Sequence, residues 1–187
     1  SGAASLAVSG AADTEASVSL AGVAFRESGG VSLTGLQRAT FDDVAMGQVG
    51  QGISAVDVDQ LSLSNVTIDG VTGTGILMEN VTASFSGVTV SNTVAGVDGD
   101  DNSSSGDGVS LQSGELNWGG GLISNAADRG LRIIDGTGAL EDLEVSGSLE
   151  SAVSVQGGAQ VIANRVTTVG GLSGFFASGV ETSLTVT

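Results

Sequence analysis

VSLQSGELNWGGGLISNAADRG, residues 109–130, decides the fold, because structural cousins of this stretch recur along the chain. Each cousin opens with an apolar–x–apolar triplet directly after a small residue, nearly always glycine. The openings are GVSL at Val31, GISA at Ile53, GILM at Ile76, GVSL at Val109, GLRI at Leu131, AVSV at Val153 and GFFA at Phe175. Their spacings are 22, 23, 33, 22, 22 and 22 residues. Strand side chains alternate with period two, so the first and third residues of every triplet share a face. Val31 with Leu33, Ile53 with Ala55, Val109 with Leu111 and Leu131 with Ile133 can therefore all point inward. Residues 1–30 read as an entry segment, with an opening strand at 6–8 and alternating apolar positions over 17–25.

A few residues after each triplet comes a position held by Gly35, Asp57, Asn80, Gly114, Asp135 with Gly136, or Gly157. A later one is held by Gly47, Gly70, Asn92, Asn125, Gly147 and Gly170. Gly, Asn and Asp enter left-handed backbone most cheaply, so both positions read as repeated sharp corners. Gly30, Gly52, Gly75, Gly108, Gly130 and Gly174 mark a third. Three corners joining three short strands make a triangular coil. Helical solenoids need longer units and good helix formers; here glycine falls inside every unit, among Val, Ser and Thr. A left-handed β-helix of hexapeptides, with about 18 residues per coil, does not fit the period either.

The G-[VIL]-x-[LIV] openings, the N-V-T-[IA] elements at residues 65–68 and 80–83, and the Ser-Asn pairs Ser91–Asn92 and Ser124–Asn125 resemble the right-handed parallel β-helix repeats of the pectin-lyase-like superfamily. The resemblance covers nearly the whole chain. It implies an all-β, three-sided β-solenoid of seven to eight coils, about 22 residues each. Residues 1–187 then form a single β-helix domain or a segment of a longer solenoid. That superfamily spans lyases, glycosidases, depolymerases, adhesins and inert spacers, so the resemblance implies no single activity.

Composition narrows the function classes. Twenty-one acidic residues against five arginines give a formal charge of −16. Such a surface repels phosphate backbones and anionic lipid, which argues against nucleic-acid partners and membrane insertion. It suits cations, cationic partners or solubility at high salt. The chain has no histidine, cysteine, lysine or tyrosine. Histidine-based triads, thiolate metal sites and most general bases are thereby removed. No run approaches the 18 or so apolar residues of a membrane span.

The one large break in the period is the 33-residue repeat, whose excess falls within the loop GVDGDDNSSSGDG, residues 96–108. Asp98-x-Asp100-x-Asn102 has the spacing that opens an oxygen-ligand calcium loop, with Asp107 as the fourth candidate ligand; a flexible solvated loop and a ligand-contact loop are the other readings. The pattern departs from an EF-hand at Ser103, where the turn glycine belongs, and at Val109, where the bidentate Glu belongs. Ca²⁺ is thus the one cofactor suggested, and none is required. For glycoside chemistry the available carboxylates are Asp42 with Asp43, Asp57 with Asp59 on one strand face, and Glu141, Asp142 and Glu144. Arg129 and Arg132 are the basic residues a lyase would use, Asp128 being the expected partner of Arg132. Trp118 reads as core filler beside three glycines rather than a sugar platform. Thr67, Thr89 and Thr167 occupy similar positions, but their row is broken in other coils. No residue is assigned a catalytic role. The last residues, TSLTVT, stop in mid-coil, which suggests self-association end to end or laterally. The expected function is a non-catalytic extracellular or cell-surface structural or adhesive solenoid. The alternative is a carbohydrate-active or sugar-binding β-helix assisted by calcium.

Overall fold

The structure, a computed structural model, describes residues 5–10, 15–96 and 106–187. Among them there is no helix. Fifteen strands join in one continuous sheet system, and every strand pairing is parallel. The chain winds as a β-solenoid of about 8 turns with roughly 22 residues per turn.

Register repeats from coil to coil and gives three faces. On the first, Val31, Ile53, Ile76, Val109, Leu131 and Val153 stack in one inward column, with Leu33, Ala55, Met78, Leu111, Ile133 and Val155 in another. All twelve are buried. The opening strand Ser5–Ser9 docks below them, Leu6 on Val31 and Val8 on Leu33. The second face buries Phe41, Leu63, Phe85, Trp118, Leu140 and Ala163 as a column, and the third buries Met46, Ile68, Val90, Ile123 and Val145. These side chains meet along one axis, each coil resting on the next at about 4.8 Å. A lone coil could not offset the entropy of ordering its own backbone; the stack does so collectively.

The 33-residue repeat is absorbed without loss of register. Ile76 pairs with Val109 and Ser91 with Ser124, so the excess falls between Ser91 and Val109 in the chain. Asp98, Asp100 and Asn102 lie outside the described residues.

The corners differ from the sequence reading in three ways. A left-handed corner that the composition did not flag runs through Gly22, Asp43, Asn65, Gly87, Gly120, Asp142 and Arg165. At the later corner the left-handed residue in its coil is Gln48, one place after the expected Gly47. The row read as a third corner is glycine for another reason. Gly30 has a φ of 90°, but Gly52, Gly75, Gly108 and Gly130 are not left-handed. A β-carbon on Gly52 would land on the carbonyl oxygen of Gly75, and one on Gly75 would reach that of Gly108. The row is therefore a line of close backbone approach between coils.

Candidate functional site

Asp107, the described member of the suggested calcium set, is fully buried. Its Oδ1 accepts a hydrogen bond from the backbone N–H of Arg129 (3.1 Å) and lies 3.8 Å from Arg129 Nη1. Around it the base of the 96–108 loop is tied to the following coil. Thr93 Oγ1 donates to the carbonyl of Gly106 (2.6 Å) and accepts from the N–H of Ala127 (3.1 Å). The N–H of Asp128 donates to Gly106 O, and that of Gly75 to Asp107 O. Both ends of the loop are thus held together by buried polar groups with matched partners.

Arg129 is the hub of this neck. Nη1 donates to Asp128 Oδ2 at 2.9 Å and Nη2 to Glu150 Oε2 at 2.7 Å. Burial pushes the Asp128 carboxyl above its ordinary value; Arg129 and Arg132 pull it back, while Glu150, by charge and hydrogen bond, adds to the rise. The expected Asp128–Arg132 pair is therefore corrected: the hydrogen-bonded cation is Arg129, the immediate neighbour. Arg132 instead reaches Gln156 Oε1 at 3.4 Å.

Three of the carboxylates suited to glycoside chemistry, Asp57, Glu141 and Asp142, carry polar partners at corners. Asp57 has a φ of 53° and turns the chain at the first corner, with Asp57 and Asp59 both exposed on either side of the buried Val58. Its Oδ1 accepts from Asn80 Nδ2 at 2.8 Å. Glu141 and Asp142 are clamped by Arg165, at 2.6 Å each. That clamp lowers the Asp142 carboxyl below its ordinary value and raises the guanidinium. Along the later corner an asparagine ladder forms: Asn125 Nδ2 donates to Asn92 Oδ1 (3.0 Å) and Asn92 Nδ2 to Asp69 Oδ1 (2.7 Å). Hydrogen bonds from Ser91 and Asn92 hold the Asp69 carboxyl below the usual range. Among the described residues no three acidic groups are arranged to hold a metal ion.

Trp118 is core, as its glycine neighbours suggested. It is 1% exposed, edge-on to Phe85 with ring centroids 5.2 Å apart and planes at 73°. Its Nε1 donates to the carbonyl of Gly120 at 3.0 Å, and a β-carbon on Gly121 would strike the indole. Thr67 and Thr89 do stack on the third face, but Ala45 lies below and Leu122 and Glu144 above, so no threonine row forms.

A feature that sequence reasoning missed lies on the outer side of the second face. Three shallow grooves, of about 390, 390 and 270 Å³, run along it and share Asn117 as a lining residue. Their linings include outward positions of the same strands that bury Phe85 and Trp118. Ser62, Ser84, Asn117, Ala139, Ile162 and Thr185 form one outward column through them. The period-two alternation contained this column; only the register between coils brings it into line.

Comparison with family models, with curated proteins and with solved structures gave no match.

Proposed function

We propose that this chain is a non-catalytic structural or adhesive rod of an extracellular or cell-surface assembly, kin in fold to the right-handed parallel β-helices of the pectin-lyase-like superfamily. The observation that carries the reading is the continuous stacking of its buried columns from Val31 to Ala163, with one register offset between Val58 and Leu61. A column of that kind makes a stiff spacer whose outer faces present side chains at a fixed repeat. Three of the candidate carboxylates are engaged at corners: Asp57 by Asn80, Glu141 and Asp142 by Arg165. Self-association belongs to the same proposal, supported by the exposed apolar side chains of Leu149, Val169 and Leu172 near one corner.

Fractionation of the native source, together with sedimentation across a concentration series, tests the proposal. Recovery from the cell surface or medium, with mass rising with concentration and falling in Leu149→Glu/Leu172→Glu, is expected. Recovery from the cytosol would overturn it. So would turnover of a polysaccharide that disappears on mutating the 96–108 loop, which would instead establish the carbohydrate-active alternative.

A further inference from the structure

Resting on the adhesive reading, we infer that the outer side of the second face binds an uncharged polysaccharide, laid along the grooves that meet at Asn117. The chemistry of the lining points to this ligand class. Ser84, Asn117, Thr137, Gln160, Asn164 and Thr185 line the grooves. Hydroxyls and amides each offer both a donor and an acceptor, which is what a sugar hydroxyl offers in return. The amide of Asn117 is already oriented: its Nδ2 donates to Glu115 Oε1 at 2.7 Å, leaving Oδ1 as the acceptor.

Shape and apolar content agree. Gly119 and Ala139 give low ground between taller neighbours, and Ile162 stands 61% exposed beside Ala139. An aliphatic patch in a polar groove suits the C–H face of a sugar ring, with surrounding hydroxyls taken by the polar lining. The parallel ladder holds every one of these positions before a ligand arrives, which lowers the ordering cost of binding.

Charge selects among polysaccharides. Arg38, the cation among the lining residues, is held in two hydrogen bonds by Gln60 Oε1, at 2.8 and 3.1 Å. Glu141 is held by Arg165, and Glu115 by Asn117. Arg38 is thus the one cation among the described lining residues to meet a uronate or sulfate, and the −16 charge of the chain repels polyanions.

Affinity electrophoresis of the intact chain tests the inference, with mixed-linkage β-glucan, glucomannan or dextran cast into native gels and polygalacturonate as the charged counterpart. At least one uncharged glycan is expected to retard the protein. Ala139→Glu, which fills and charges the groove floor, should weaken that retardation tenfold or more. Thr67→Glu on the third face should leave it unchanged. Asn117→Ala gives a second groove variant should Ala139→Glu fail to fold. No retardation by any uncharged glycan, retardation indifferent to the groove variants, or equal retardation by polygalacturonate would overturn the inference. Failure of all the glycans with a rod still located at the cell surface would remove this binding site alone and leave the scaffold reading standing.

Discussion

Substituting Gly52 by alanine separates two reasons for a glycine. If Gly52 served only a left-handed corner, alanine would cost the backbone penalty alone, roughly 1–2 kcal/mol. The structure gives a different reason: the new methyl would fall on the Gly75 carbonyl oxygen, which has no flexible side chain to swing away. The coils must part there. Two inter-coil hydrogen bonds cross that point, Val31 N–H to Gly52 O at 2.9 Å and Ile53 N–H to Gly75 O at 3.0 Å. Weakening both costs about 1 kcal/mol each, and relieving the overlap adds roughly 1–3 kcal/mol. The expected loss is about 3–5 kcal/mol, a fall in Tm on the order of 10 °C for a chain of this length. Gly120→Ala is the internal reference: its φ is 79° and nothing lies within 4 Å of an added β-carbon. It should lose only the conformational penalty, roughly 1–2 kcal/mol. Chemical denaturation followed by circular dichroism reads both variants. Equal losses, or a Gly52→Ala protein within about 1 kcal/mol of wild type, would refute the close-approach explanation.

Trp118→Ala should cost roughly 3–5 kcal/mol, as a buried aromatic does; a change within about 0.5 kcal/mol in thermal melts would mean the indole is not core. The carboxyls of Asp69 and Asp128 are displaced in opposite directions from their ordinary value of 3.8, so their effects on stability against pH have opposite signs. Asp69, held low, contributes stability that is present above 3.8 and is lost as pH falls through its folded value. Asp128, held high, is unfavourable when ionised, so its share of stability rises as pH drops from neutral through its folded value and levels off below 3.8. Asp69→Asn should therefore flatten the acid loss in a pH series of melts, and Asp128→Asn should remove a gain on mild acidification; the same sign in both would contradict the hydrogen-bond and burial causes given. If the 96–108 loop holds Ca²⁺, the ion raises the Tm of the wild type and leaves that of Asp98→Ala/Asp100→Ala unmoved; the absence of a shift in either protein removes the calcium loop.

The columns were legible in the sequence because they are local arithmetic. The interval between triplets, and the alternation inside them, are set by strand geometry alone, and the buried pairs from Val31 with Leu33 to Val153 with Val155 follow from it. Trp118 was legible for a related reason, since three successive glycines signal room for a large neighbour. The corner through Asp43, Asn65, Asp142 and Arg165 was hidden because no single residue type marks it; an arginine there looks like an ordinary surface residue. The neck of the 96–108 loop was hidden because its partners are far apart in sequence: Thr93 with Ala127, Asp107 with Arg129, Arg129 with Glu150. The outer grooves depend on inter-coil register, including the offset between Val58 and Leu61. Strand periodicity predicted which residues face out and was silent on which of them meet.

A pair of engineered cysteines measures the stacking of the coils most directly, since the chain contains no native cysteine. Ser84 and Asn117 are 33 residues apart and directly opposed in neighbouring strands on the outer side of the second face. Parallel neighbours at about 4.8 Å lie within the span a disulfide bridges. Ser84→Cys/Asn117→Cys should crosslink within the monomer under mild oxidation and keep the wild-type circular dichroism spectrum. A pair that stays reduced while the protein remains folded would contradict the parallel solenoid and everything built on it.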